Sequence, residues 1–209
     1  FHALFPEKIK LILQSENKYS KGLKVGKEYL WPKAKGEFIA LCEGDDYWSD
    51  KNKLQKQVDN LAQNRDVNLC VHSVLVLDLK KGTKSIDKKT NKKHIYSLSE
   101  VIAGGGAFFP TASIMIRKKV LDSLPSWFDS TPVSDYFIQV LGSTNGALYL
   151  PETMAVYRKF SPGSWSVKFK KKNSAQLVSH FNEMERAMEA TLLMGEPGSV
   201  WRLYVDPAT

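Results

Sequence analysis

Phe38-Ile39-Ala40-Leu41-Cys42-Glu43-Gly44-Asp45-Asp46-Tyr47-Trp48 decides how the chain reads. Five apolar residues form a buried strand and run without a break into a cluster of acids, so the carboxylates stand at the strand's C-terminal edge. Adjacent carboxylates repel, and folding gains little from them unless a cation or hydrogen-bond donors lie between them. A divalent cation is the simplest explanation. Hard oxygen ligands in a loop with open coordination positions suit Mg2+ or Mn2+, which share their shell with substrate phosphates. The alternative is an Asp cluster capping the helix over 51–64, and spacing alone leaves the two about even.

Upstream of this stretch, residues 9–13 are a short apolar run that reads as a buried strand. Residues 20–35 carry patchy helical spacing closed by Gly36. Downstream, Ser49 or Asp50 can cap a helix whose apolar face is Leu54, Val58, Leu61 and Ala62. Residues 68–79, rich in Val and Leu, predict a third strand, with a lysine-rich loop or hairpin after it. Gly104-Gly105-Gly106 and Pro110 announce a loop, then 112–116 a strand and 117–123 a short helix. Ser134 can cap a helix with Phe137, Val140 and Leu141 on one face, which puts Asp135 in its first turn. Residues 147–150 and 154–157 read as two short strands. Asn173 or Ser174 opens the clearest helix, in which Leu177, Phe181, Met184, Met188 and Leu192 keep a core-facing spacing until Gly195. Strands alternating with helices predict one mostly parallel α/β sheet with helical additions at the C-terminal end.

With 209 residues, 43% of them hydrophobic, the chain can bury roughly 70% of its unfolded surface, which excludes a disordered tail or a disulfide miniprotein. Cys42 and Cys70 each lie in an apolar run and read as buried, reduced thiols. No apolar run approaches the ~20 residues of a membrane-spanning helix. The start, Phe1-His2-Ala3-Leu4, carries neither an initiator Met nor a signal pattern, so the chain reads as a soluble piece cut from a longer one. A net charge of +8 favours an anionic partner. The surplus gathers in Lys80, Lys81, Lys84, Lys88, Lys89, Lys92 and Lys93, and again in Lys168, Lys170, Lys171 and Lys172. Both clusters read first as solvated loops and second as a patch for an anionic membrane. Without interleaved aromatics they lack the stacking platforms of a single-strand binder, so no nucleic-acid partner is expected.

The acidic stretch, followed by Lys53-Leu54-Gln55-Lys56-Gln57-Val58, resembles the inverting glycosyltransferases of family 2. A second block looks like the acceptor half of the same family: Leu124-Pro125-Ser126-Trp127-Phe128, Ser134-Asp135-Tyr136-Phe137, 151–159 with Tyr157-Arg158-Lys159, and Gly163-Ser164-Trp165-Ser166. The resemblance covers about residues 9–166. It implies a GT-A-type, Rossmann-like fold over 1–166, with 167–209 as a C-terminal helical extension packed on it.

By that resemblance, Asp46 is the main metal ligand for Mn2+ or Mg2+. Asp45 contacts nucleotide, ribose or metal-bound water, and Glu43 stands where many relatives carry another Asp. Arg158 and Lys159 neutralise the diphosphate. Asp135 is the base that deprotonates the acceptor hydroxyl for a single inverting displacement; outside the family context it would read as a helix N-terminal carboxylate. Trp48 and Trp165 are pocket walls for sugar or nucleoside rings, whereas Trp127 reads as core. His72, His94 and His180 have no spaced ligand partners. The partners implied are a nucleotide-diphosphate sugar donor and a saccharide or lipid-linked acceptor. The setting implied is bacterial surface-polysaccharide or glycolipid assembly, in the cytoplasm or peripheral at the inner face of the membrane. Two departures stand out: the opening strand and loop that bind the base and ribose in relatives are not in this chain, and Phe160 stands where many relatives carry His.

Two other functions fit part of the pattern. A sugar- or nucleotide-binding domain of the same fold without catalysis accords with the missing opening strand. Gly44-Asp45-Asp46 after an apolar strand also resembles the metal motif of RNA-dependent RNA polymerases, but the further aspartate motif and larger body of such enzymes are not visible.

Overall fold

Val and Leu fill Leu69–Asp78, and the strand they form, β3, lies at the middle of the sheet with its first six residues buried. A continuous apolar run is what burial on both faces requires. The computed structural model describes residues 2–193. Its other strands are β1 (Phe38–Ala40), β2 (Tyr47–Trp48), β4 (Thr83–Asp87), β5 (His94–Tyr96), β6 (Met115–Arg117) and β7 (Ala147–Lys159). The helices are α1 (Lys53–Gln63), α2 (Leu98–Gly104), α3 (Lys118–Asp122), α4 (Ser134–Gly142), α5 (Trp165–Phe169) and α6 (Ser174–Leu192).

The sheet runs β1-β6-β3-β7-β2, with β4 added to β3 and β5 to β7. Among the described residues, only β3 with β7 is parallel; the other five pairings are antiparallel. The expected mostly parallel, Rossmann-like sheet is therefore corrected to a mixed and mostly antiparallel one. A parallel pair needs a long crossover, and α2, α3 and α4 supply one between β3 and β7. The antiparallel pairs of β1 with β6, β2 with β7, β3 with β6 and β5 with β7 join strands distant in sequence, and β3 with β4 is a tight reversal. The lysine-rich stretch folds back as the β3–β4 hairpin, with Asp78 opposite Thr83.

Alternation along the strands divides the core. Leu69, Val71, Ile116, Ala147 and Tyr149 join Val101 of α2, Leu121 of α3, Phe137, Ile138 and Val140 of α4, and Ala187 of α6. Cys70, Met115, Leu148 and Leu150 turn to the other side and meet Leu61 of α1. Gly142 lets α4 close on the sheet, because a Cβ there would stand 3.0 Å from Ile116 Cδ1 and 3.3 Å from Leu69 Cβ. Trp127 packs edge-on to Phe137 at 5.7 Å, as the core reading expected.

Several local expectations are corrected. Residues 9–13 form no strand, and Leu11 and Leu13 are 54% and 85% exposed, because no described strand pairs with them. The helix expected over 20–35 breaks into short turns at Tyr19–Lys21, Gly26–Leu30 and Trp31–Lys33. Gly22 (φ 82°) turns the chain into the left-handed region after the first of them. The two strands expected over 147–157 are one, β7, whose pairing with β3 shifts register around Ser73. The buried face of α1 is Lys53, Gln57 and Leu61, while Leu54 is exposed. Asp50 shapes the entry to α1 by accepting the Asn52 N–H at 2.8 Å. Cys42 is exposed; Cys70 is buried. Asn173 and Gln176 close a capping box at the start of α6, as expected, but Phe181 on the expected core stripe is exposed. Gly195, the expected end of that helix, and the rest of the extension lie outside the described residues.

Candidate active site

The turn 41–46 delivers the acids to the edge of the sheet, where β2 pairs antiparallel with β7, Tyr47 opposite Val156 and Trp48 opposite Ala155. That register brings Arg158 beside Asp45 and Asp46. The Arg158 backbone N–H donates to Asp46 Oδ1 at 2.8 Å, and its Nε donates to the Asp45 carbonyl. Asp46 is buried, and its Oδ2 has no hydrogen-bond partner. Burial pushes the Asp46 carboxyl up; the Arg158 N–H and guanidinium oppose this, and the Asp45 charge adds to it.

Asp135 comes to the same cleft from the first turn of α4. Its Oδ2 accepts the Thr111 hydroxyl at 3.2 Å, and its Oδ1 accepts the Tyr136 N–H at 2.9 Å. Burial raises its pKa against these bonds and against the charge of Lys24. Glu43 is near enough to share the Thr111 hydroxyl with Asp135, part of the residue open to solvent while protein crowds its carboxyl. Burial, then the charges of Asp135, Asp46 and Asp45, push it up to about 7, while the Thr111 hydroxyl holds it down. Tyr157 of β7 lies among all four acids. Burial and then the charges of Asp46, Glu43, Asp45 and Asp135 raise its hydroxyl pKa.

The segment 19–24 edges this cleft. The Tyr19 hydroxyl is raised by burial and by Glu43 and Asp135, and Lys168 lies 5.9 Å from its ring. Lys24 donates to the carbonyl of Thr131 and, at 3.3 Å, to its hydroxyl. Burial lowers its pKa, and Asp129 and Asp135 act against that. Thr111, Tyr157, Tyr19 and Lys24 were not foreseen as site residues. Only Tyr157 stood within a family-like block, and nothing local marks the other three.

Trp48 is part-exposed beside the acids, with the Lys53 ammonium 4.5 Å from its ring, so one face of the indole is taken. Trp165 stacks on Phe169 at 4.7 Å and tilts against His180, which ties α5 to α6. Lys159 is exposed and reaches the Phe160 ring at 5.4 Å, with no bond to the acids.

Among the described residues, no group of three or more His, Cys, Asp or Glu side chains is gathered to hold a metal alone. The residues nevertheless fit a hard divalent cation. Asp46 presents one unpartnered carboxylate oxygen beside Asp45, and Mg2+ or Mn2+ ordinarily take most of their shell from water and substrate phosphate.

No family model matches the chain. Over 167 residues, 79% of its length, the chain is 32% identical to Rv1520, an uncharacterized protein of Mycobacterium tuberculosis (strain ATCC 25618 / H37Rv). It is equally similar, over the same share, to the uncharacterized protein Mb1547 of Mycobacterium bovis. The chain spans about half of these relatives, 46% of the length of each.

Proposed function

We propose that this chain is the catalytic core of a metal-dependent, inverting glycosyltransferase of GT-A type, which moves a sugar from a nucleotide-diphosphate donor to a hydroxyl acceptor. The observation that carries the proposal is the meeting of Asp135 with Glu43, Asp45 and Asp46 in one cleft beside the parallel β3–β7 pair. Four carboxylates in one partly buried cleft oppose folding unless a cation or a proton-transfer role keeps them there. Asp46 and Asp45 would hold the metal, which when bound supplies charge neutralisation for the departing diphosphate.

The chain's own residues divide the remaining work. Arg158 fixes Asp46 and the Asp45 backbone, and its guanidinium adds positive charge where a diphosphate would lie. Asp135, held by Thr111 and Tyr136, takes the proton from the acceptor hydroxyl as it attacks the sugar on the side opposite the leaving group. Thr111 positions that carboxylate. Trp48 offers its free face to a ring of donor or acceptor.

The test is transfer and donor hydrolysis with a panel of nucleotide-diphosphate sugars, using the protein with its natural flanking sequence and Mn2+ or Mg2+. Turnover that needs the cation and is lost in Asp46→Asn supports the proposal. Tight sugar-nucleotide binding without turnover would favour the binding-domain reading instead.

A further inference from the structure

Beyond the acidic cleft, β7 ends in a second site of opposite charge. Lys80, Phe160, Val167, Lys170 and Lys171 line a cleft of about 290 Å3. The Lys170 ammonium lies 4.2 Å from the Phe160 ring, and Lys159 reaches the same ring at 5.4 Å. Ion pairs with a carboxylate hold Lys18, Lys21, Lys27, Lys56, Lys89 and Lys118, whereas most other described lysines have none, so what sets this cleft apart is that several unpaired ammoniums gather around one ring. Among the described residues, Lys80, Lys159, Lys170 and Lys171 pair with none. The neighbouring acid, Asp78, spends Oδ1 on the backbone N–H groups of Lys80 and Lys81, at 3.0 and 2.9 Å.

The backbone under this cleft is strained. Phe160 has φ 64°, a left-handed conformation that a bulky residue rarely adopts and that persists only where its surroundings impose it. The imposing contacts are visible. The Leu79 N–H donates to the Lys159 carbonyl at 3.1 Å, joining the ends of β3 and β7, and the Ser161 hydroxyl donates to the Arg158 carbonyl at 2.9 Å. The turn leaves the Phe160 ring within reach of both the Lys159 and Lys170 ammoniums.

From this unpaired positive charge, aromatic wall and held backbone we infer that the cleft is a phosphate-binding site separate from the acidic cluster. Lysine ammoniums are point charges that accept a phosphate in many orientations, and the ring and Val167 give apolar surface beside it. A phosphate can arrive there as a lipid headgroup or as a free anion. The inference stands on the lysine cleft alone and does not depend on glycosyl transfer.

The experiment measures binding of the whole protein to neutral phosphatidylcholine vesicles with and without phosphatidic acid, at fixed ionic strength, and repeats it with added inorganic phosphate. Lys170→Gln with Lys171→Gln removes two cleft charges. Lys88→Gln with Lys92→Gln removes two exposed charges from the lysine-rich stretch after β3. The cleft pair is expected to weaken phosphatidic-acid binding roughly tenfold or more, and the control pair much less. Vesicle binding that resists inorganic phosphate identifies a headgroup site. Competition by phosphate, lost in the cleft pair, identifies a site for free phosphate. Equal losses in the two pairs would mean diffuse electrostatics and would overturn the inference, as would failure of the unaltered protein to bind either form.

Discussion

Asp46 accepts the backbone N–H of Arg158 at 2.8 Å across 112 positions of sequence. One carboxylate oxygen is thereby fixed on β7 while the other is left without a partner. The bond uses main chain, so the Arg158 side chain stays available to the Asp45 carbonyl and to whatever anion enters. The motif is locked in place before any ligand arrives.

Asp46→Asn should keep that bond, since an amide oxygen accepts as a carboxylate does, and should fold normally. Calorimetry is expected to show Mn2+ binding in the presence of a nucleoside diphosphate for the unaltered protein and a loss of at least roughly tenfold in affinity for the variant. Tight Mn2+ binding without nucleotide, or unchanged binding in the variant, would make these acids structural only.

Asp135→Asn preserves shape and can still accept from Thr111. It removes the proton acceptor, so turnover should drop roughly 10²-fold or more while donor-nucleotide affinity hardly changes. Steady-state kinetics and equilibrium nucleotide binding on one preparation check this. Near-normal turnover would leave the base unassigned.

Lys53 gives a pH signature. It is 1% exposed, bonded to Gln57 Oε1 at 2.7 Å and set over Trp48; burial lowers its pKa to about 8 from 10.5. Because the folded value is the lower one, Lys53 makes the unfolded chain hold more protons between pH 8 and 10.5, so its contribution to stability rises with pH across that window, while the Cys70 thiol, raised by burial to about 12 from 9.0, contributes the opposite slope above pH 9. The gain should total about 3 kcal/mol at most. Lys53→Met should abolish the rise, while its stability at neutral pH changes little, because the relieved charge offsets the donor lost to Gln57. Urea unfolding from pH 7 to 10.5 reads this directly; parallel curves for the two proteins would rule out a buried ammonium.

His72 contributes a slope of its own on the acid side. Its Nδ1 lies 2.8 Å from the Ser73 carbonyl, and its Nε2 is buried without a partner where β3 shifts register against β7. Burial lowers its pKa to about 3 from 6.5, so the stability of the neutral ring is fully present above pH 6.5 and lost as pH falls toward 3. The His72 slope should be roughly 1.4 kcal/mol per pH unit within that window, opposed between pH 4.5 and 7 by Glu43, whose raised value makes the folded state hold the extra proton. His72→Gln, which can still donate to Ser73, should flatten the limb in urea titrations across that range. An unchanged slope would mean that the ring is hydrated.

Local pattern was enough for β3, whose Val and Leu run has no other use, for α4 with Asp135 in its first turn, and for the Asn173 cap of α6. It failed where the partner decides. Residues 9–13 are as apolar as a strand and remain irregular, because a strand exists only with a neighbour to pair with. Lys53 and Gln57 read as the solvated side of α1 but are buried, because Gln57 bonds the carbonyls of Cys70 and Ser113 at 3.0 and 2.8 Å.

Residue type and order alone determined that acids follow an apolar strand and that a further acid opens a later helix; the expected buried strand over 38–42 is instead the half-buried edge strand Phe38–Ala40, and strands and helices do not strictly alternate, because burial and order depend on which strands pair. Strand direction was beyond their reach, since apolar periodicity is the same for parallel and antiparallel neighbours. Tertiary pairing alone set β2 against β7, and with it the contact of Arg158 with Asp45 and Asp46. It also brought Thr111, Tyr157 and Asp135 to Glu43, because charges and hydrogen bonds act over a few ångströms of space whatever their separation along the chain.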